Sequence, residues 1–148
     1  MIELATPSER FRASYLEADR EFAAGPIWDG KFIATEDTFA RMLEGILRAP
    51  FLELWLVDGA RYLGKLQLRP SGVPDHIGVA IRPSARRAGL AAKAIELAAP
   101  HLRALGVGLT AMCDADNAAA LALVARFGGV LERDLGDGRL RFAIPSPP

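Results

Sequence analysis

Apolar residues change spacing several times along this chain, and each change marks an element. Ile2 to Ala5 is a short apolar run that predicts a first strand. Thr6-Pro7-Ser8-Glu9 follows, with Thr6 placed to cap a helix, Pro7 at its first position and Glu9 three beyond Thr6, as a capping box requires. Phe11, Tyr15, Ala18 and Phe22 then line one helical face, and Gly25-Pro26 stops that helix. Glu36 to Leu47 predicts a second helix with Phe39, Leu43, Ile46 and Leu47 inward, Thr35 as its cap and Pro50 at its end. From Phe51 to Val57 the spacing switches to alternation. Glu53, Trp55 and Val57 take one face of a strand, and Leu52, Leu54 and Leu56 the other. Asp58-Gly59 is a hairpin turn, and Tyr62 to Leu68 returns as the partner strand. After a loop over Arg69 to Pro74, His76 to Ile81 predicts the next strand.

Gly89 to Leu105 reads as a helix with Ala91, Ile95, Ala98, Leu102 and Leu105 on its buried face, Pro100 kinking its second half and Gly106 ending it. Val107 to Cys113 is a strand, Asp114-Ala115-Asp116-Asn117 a polar turn, and Ala118 to Phe127 a short helix stopped by Gly128-Gly129. Val130 to Leu135 and Arg139 to Ile144 form a closing hairpin around Gly136-Asp137-Gly138, before a Ser146-Pro147-Pro148 tail.

Composition narrows the class. The chain has 148 residues, 51% apolar and 24% charged, which suits a single globular domain over residues 1–148. Lys plus Arg number 18 and Asp plus Glu 18. That balance offers no basic excess for nucleic acid, although Arg82, Arg86 and Arg87 cluster locally. A lone Cys113 allows no internal disulfide and no cysteine-rich zinc site, and two histidines, His76 and His101, argue against a His-based metal site. Glu3, Glu9, Arg10 and Arg12 are foreign to a signal peptide, and no apolar run reaches membrane-span length. The expectation is a soluble, cytoplasmic protein with no membrane partner.

The informative stretch is Ile77 to Ala98. A buried strand, Ile77-Gly78-Val79-Ala80-Ile81, enters a basic small-residue turn, and a helix leaves it. Such a turn aims several unpaired N–H groups at one spot, with the positive end of the helix dipole behind them. That is an anion site, suited to phosphate. No Gly-Lys-Ser/Thr follows, so it is not a Walker A loop, and no G-x-G-x-x-G is present. What stands there is Arg86-x-x-Gly89-x-Ala91, which resembles the acyl-coenzyme A pyrophosphate loop of the GNAT acetyltransferases. Downstream, Thr110-Ala111-Met112-Cys113-Asp114-x-Asp116-Asn117, followed by Gly128-Gly129-Val130-Leu131-Glu132, is similar to a GNAT subgroup labelled predicted acetyltransferase. The resemblance runs from about Phe51 to Phe142, and more loosely over Ile2 to Pro50.

That resemblance implies an α/β fold of α+β type, a mixed sheet of about seven strands with helices on both faces. It implies acetyl-CoA as co-substrate. Arg86, Arg87, Ala88, Gly89, Leu90 and Ala91 would hold the pyrophosphate, with Gly89 keeping a side chain out of its place. Val79, Ala80 and Ile81 would pair with the pantetheine arm as an added strand does, and Asn117 would contact the same arm. Many members place a Tyr general acid seven residues after that Asn; here the position is Val124. Dimers are common in the family, so the resemblance leaves a homodimer open, while the sequence itself does not set the oligomeric state.

Acetyl transfer to an amine needs a neutral nitrogen. A lysine-like amine of pKa about 10.4 is neutral in roughly one molecule in a few thousand at pH 7, so a base matters. Candidates are Glu53, whose carboxylate shares a face with Trp55, and His76, which titrates in the right range; Asp75 and Asp114 are weaker. Each has a plainer reading: Glu53 facing solvent, His76 bonded to a loop, Asp114 and Asp116 capping the helix that starts at Asn117, and Cys113 as packing. Trp28, Trp55 and Asp114 are candidates for contact with the acceptor. Three functions are open: an N-acetyltransferase acting on a small-molecule or protein amine, a silent acyl-CoA-binding module favoured by Val124, and a nucleotide-binding domain without acyl chemistry.

Overall fold

A computed structural model of the chain describes residues 1–25, 33–69, 77–105 and 109–145. The described elements run β1 (Ile2–Ala5), α1 (Arg12–Ala24), α2 (Phe39–Arg48), β2 (Leu52–Asp58), β3 (Arg61–Leu68), β4 (Ile77–Ile81), α3 (Leu90–Leu105), β5 (Leu109–Asp114), α4 (Ala118–Arg126), β6 (Val130–Asp134) and β7 (Arg139–Ile144). The seven expected strands and four expected helices are all there. The strands form two antiparallel sheets, one ordered β1-β2-β3-β4 and one ordered β5-β7-β6.

Alternation along β2 sorts the core into two parts. Leu56 packs with Leu66, Leu68, Ala94, Ile95 and Ala98 on the α3 side. Trp55 and Val57 pack with Phe11, Tyr15, Ala18, Phe39 and Leu43 on the α1–α2 side. Trp55 is wholly buried, stacked on Tyr15 with ring centroids 4.7 Å apart and edge-on to Tyr62 at 5.2 Å. This geometry is favourable for aromatic pairs. Phe11, Tyr15, Ala18 and Phe22 are all buried, as their spacing predicts.

Helix starts differ from expectation where a local turn competes. The Thr6 capping box does not form. Glu9–Phe11 is a short 3₁₀ turn, Glu9 pairs with Arg12 instead, and the α-helix starts at Arg12. Likewise α2 starts at Phe39, because Thr35 and Thr38 bond each other in a turn, Thr35 N–H donating to Thr38 Oγ1 at 2.9 Å and Thr38 N–H to the Thr35 carbonyl at 3.1 Å. Leu47, expected inward, is exposed.

A bulge between Leu56 and Val57 interrupts the β2–β3 register, just before Gly64 faces β4. The β3–β4 ladder pairs Lys65 with Ala80 and Gly64 with Ile81, and it continues past β4, Arg82 N–H donating to the Leu63 carbonyl at 2.8 Å. Antiparallel residues alternate between bonded and non-bonded pairs. Counting back from Arg82, Ala80 turns its backbone groups toward β3, and Val79 and Ile81 turn theirs to the opposite edge. Strand β5 lies beside that edge but belongs to the other sheet. The two sheets therefore part along this edge, where no described strand pairs with β4.

Candidate functional site

Beyond β4 the chain makes a 3₁₀ turn over Pro83–Ala85, started by Pro83 at its first position. Ala85 N–H reaches the Arg82 carbonyl at 3.0 Å and Arg86 N–H the Pro83 carbonyl at 3.3 Å. Arg87 then takes φ 65° and Gly89 φ 71°. Left-handed backbone suits Gly89; at Arg87 it is uncommon for a residue with a side chain. The first bond into α3 is Lys93 N–H to the Gly89 carbonyl at 3.0 Å. The N–H groups of Leu90, Ala91 and Ala92 thus lie in the open first turn of a sixteen-residue helix. A Cβ placed on Gly89 would meet no atom within 4 Å, so there is open space at the residue that leads into these amides. Successive amides, a helix N-terminus and free space at Gly89 suit a diphosphate.

The arginines of the turn divide. Arg82, expected in a basic patch, is buried at 1% exposure. Its Nε donates to Glu21 at 3.1 Å, its Nη1 to the Tyr62 carbonyl at 3.0 Å and to Ser14 Oγ at 3.2 Å, and its Nη2 to Glu21. It is a framework residue. Arg86 is exposed but folds back, its Nε donating to the Ile81 carbonyl at 3.0 Å and its guanidinium lying over the Phe22 ring at 5.6 Å. Arg87 is exposed at the mouth of the loop.

Of the strand residues expected to meet the pantetheine arm, Val79 and Ile81 face the open edge. Ala80 does not: its carbonyl points at β3, where a Cβ on Gly64 would stand 2.3 Å from it. Asn117 is the cap of α4, its Oδ1 accepting from Ala120 N–H at 3.1 Å. Asn117 therefore does the capping expected of Asp114 or Asp116. Asp114, exposed at the end of β5, accepts Asn117 N–H on its carbonyl at 3.0 Å. Val124 is buried against Gly129, whose Cβ would stand 2.3 Å from Val124 Cγ1, so this position supplies packing and no proton.

The candidate base Glu53 does not face solvent. It is 5% exposed, its Oε1 accepting from Trp55 Nε1 at 2.9 Å and its Oε2 from Gln67 Nε2 at 2.7 Å. Gln67 in turn accepts from Arg69 Nη2 at 2.9 Å. Trp55, expected to touch the acceptor, has no exposed surface; alternation along β2 sends it into the aromatic core, where it holds Glu53. Burial pushes the Tyr15 hydroxyl pKa upward, the Asp19 and Glu53 carboxylates adding to the shift, and Tyr62 is raised by the same burial and neighbours. Both phenols therefore stay protonated. His76 and Trp28 lie outside the described residues. Among the described residues no group of three His, Cys, Asp or Glu could hold a metal ion, and no helix is long and apolar enough to cross a membrane.

A sequence profile of the Acetyltransferase (GNAT) family matches residues 32–129. The chain belongs to the GNAT acetyltransferase family. Solved structures agree in fold. The ribosomal-protein-S18-alanine N-acetyltransferase from Escherichia coli superposes with a TM-score of 0.65 at 21% identity, over 99% of this chain and 94% of that one. RimL, a ribosomal L7/L12 alpha-N-protein acetyltransferase in complex with coenzyme A, gives 0.76 at 16%, over 96% and 92%. The microcin C7 self-immunity acetyltransferase MccE, in complex with acetyl-CoA and AMP, gives 0.73 at 16%, over 96% and 91%. No curated protein sequence matches the chain. In this GNAT member residues 86–91 follow β4 directly, and Arg86 Nε ties the turn back to the Ile81 carbonyl. The Arg82–Glu21 link was not visible in the sequence, because Glu21 sits on α1, sixty-one residues away.

Proposed function

We propose that the protein transfers an acetyl group from acetyl-CoA to a primary amine by direct attack on the thioester. The observation that carries this reading is the open first-turn amides of Leu90, Ala91 and Ala92, reached through the left-handed backbone of Arg87 and Gly89 and following directly on β4. The amides and Arg87 would hold the diphosphate, and the outward backbone groups of Val79, with the Ile81 N–H, would pair with the amides of the pantetheine arm; the Ile81 carbonyl already accepts from Arg86 Nε. Asn117 would offer its NH₂ to the same arm. A backbone N–H at the β4 edge would donate to the oxyanion of the tetrahedral intermediate.

Acetyl-CoA brings an activated thioester, so positioning supplies much of the catalysis. Glu53 would take the amine's proton through water, since its own oxygens are enclosed by Trp55 and Gln67. The thiolate, of pKa near 8.5, would leave with water as its proton source, because Val124 has no proton to give. Relatives of this fold act on ribosomal-protein amino termini, which makes a protein α-amine one acceptor class to try beside small amines.

Calorimetric titration with acetyl-CoA, followed by a free-thiol release assay over amines and peptide amino termini, tests the proposal. Binding with acceptor-dependent release supports it. Binding without release on a broad panel favours a silent acyl-CoA-binding module, the reading to which buried Val124 lends weight. Tighter binding of ATP than of coenzyme A would overturn both.

A further inference from the structure

We infer that Glu21, from α1, is a positioning residue for the acyl-CoA loop, acting through Arg82 and Ser84. The inference rests on the reading of residues 86–91 as that loop.

A buried arginine demands partners for every donor. Arg82 has them all: Leu63 for its backbone N–H, Tyr62 and Ser14 for Nη1, Glu21 for Nε, and Glu21 with Glu17 for Nη2. Ser14 Oγ also accepts Tyr62 N–H at 2.8 Å. The guanidinium thus ties β3, α1 and the end of β4 together at one plane. Glu21 does more than pair with it. Its Oε2 accepts Ser84 N–H at 3.0 Å and its Oε1 accepts Ser84 Oγ at 2.9 Å. No side chain of the turn itself caps Pro83–Ala85. A carboxylate from a distant helix therefore fills the place of a cap, where negative charge is favoured. Phe22, next to Glu21, sits under the Arg86 guanidinium.

The loop is gripped on one side by α1, and the next residue after Arg86 is Arg87 in left-handed backbone. Such a conformation persists only where the surroundings over-determine it. Releasing Ser84 and Arg82 would let residues 83–87 relax and the amides that follow diverge from a common point. A buried ion pair adds little stability over a well-packed apolar pair. What this one supplies is a fixed direction for the turn.

The test uses the whole chain and two acetyl donors, acetyl-CoA and S-acetylpantetheine, which lacks the diphosphate. Coenzyme A affinity is measured by calorimetry, and KM and kcat by thiol release, at a temperature where each variant is folded by circular dichroism. Glu21→Gln keeps the shape and removes the charge. Hydrogen bonds to a charged group predict a loss of about tenfold or more in coenzyme A affinity and in KM for acetyl-CoA. The values for S-acetylpantetheine and kcat should stay within about twofold, a split that a general loss of stability would not give. Glu44→Gln, which breaks an exposed pair with Arg48 on α2, should change neither donor. If Glu21→Gln does not fold, Ser84→Ala, which removes one bond to Glu21, should weaken coenzyme A binding in the same donor-specific way by a few-fold. Unchanged coenzyme A affinity, or equal losses for both donors, overturns the positioning role alone. A wild-type chain that binds no coenzyme A overturns the loop reading and this inference with it.

Discussion

Gly64→Ala is a small change with a large expected effect. Gly64 lies on β3 opposite Ile81. An added Cβ would stand 2.3 Å from the Ala80 carbonyl oxygen, 2.9 Å from Ile81 Cδ1 and 3.0 Å from Ile81 Cα. Two of these atoms are backbone, so no rotamer change relieves the clash. An ordinary carbon–oxygen contact lies near ~3.3 Å, which means β4 must retreat from β3 by about 1 Å. A hydrogen bond lengthened by that much is broken. Losing one or two ladder bonds at about 1 kcal/mol each, together with about 1–3 kcal/mol for overpacking, gives roughly 2–5 kcal/mol. For a chain of this size each kcal/mol lowers the melting temperature by about 2–4 °C, so a fall of about 4–20 °C is expected. Thermal melts followed by circular dichroism measure it. The outer edge of β4 moves with the strand, so coenzyme A affinity should fall as well. Gly59→Ala is the reference: its φ is 59° and its Cβ would meet nothing within 4 Å, leaving only the backbone term of about 1 kcal/mol. A Gly64→Ala protein that melts within about 2 °C of wild type would refute the argument that close β3–β4 approach requires glycine there.

Other outcomes follow from the same geometry. Gly89→Glu places a carboxylate in the space before the amides and should abolish coenzyme A binding in calorimetry. Its melting temperature should fall by only a few degrees, since the Cβ meets no neighbour; normal binding would show that the loop does not hold the diphosphate. Glu53→Gln should lower kcat by about tenfold or more while leaving the coenzyme A Kd unchanged, read from the thiol-release assay. The same variant leaves either Trp55 or Gln67 without an acceptor, for which about 1–3 kcal/mol of stability is lost. Partial burial raises the pKa of Glu21, but hydrogen bonds from Arg82 and Ser84 outweigh it and hold the carboxyl down to about 2 from its usual 4.5. A depressed carboxylate pKa contributes stability above pH 4.5 that disappears as the pH falls toward 2. Allowing for partial exposure, this amounts to about 1–2 kcal/mol. Urea midpoints from pH 6 to pH 2.5 should therefore fall less steeply for Glu21→Gln than for wild type, and parallel curves would contradict the assigned bonds.

Sequence alone determined the elements and the turn that opens α3, because both are local. Alternation along Phe51 to Val57 and the spacing of Phe11, Tyr15, Ala18 and Phe22 are properties of neighbouring residues, and burial followed them. Gly89 between a strand and a helix needs only its own backbone freedom and the open amides after it. Helix starts at Arg12 and Phe39 were less legible, since the Glu9–Arg12 pair and the Thr35–Thr38 turn bonds compete with caps on nearly equal terms. What only the tertiary structure decided was which polar residues are enclosed. Arg82 reads as a member of a basic cluster until α1 brings Glu21 and Ser14 to it. Trp55 reads as a binding surface until two helices close over it, and Glu53 takes its two bonds only in that enclosure. Ala80 and Val79 are equivalent as sequence, and only the register set by Arg82 and Leu63 turns one toward β3 and the other toward the open edge. Contacts between residues far apart in the chain set each of these, and no local pattern encodes the distance at which two elements meet.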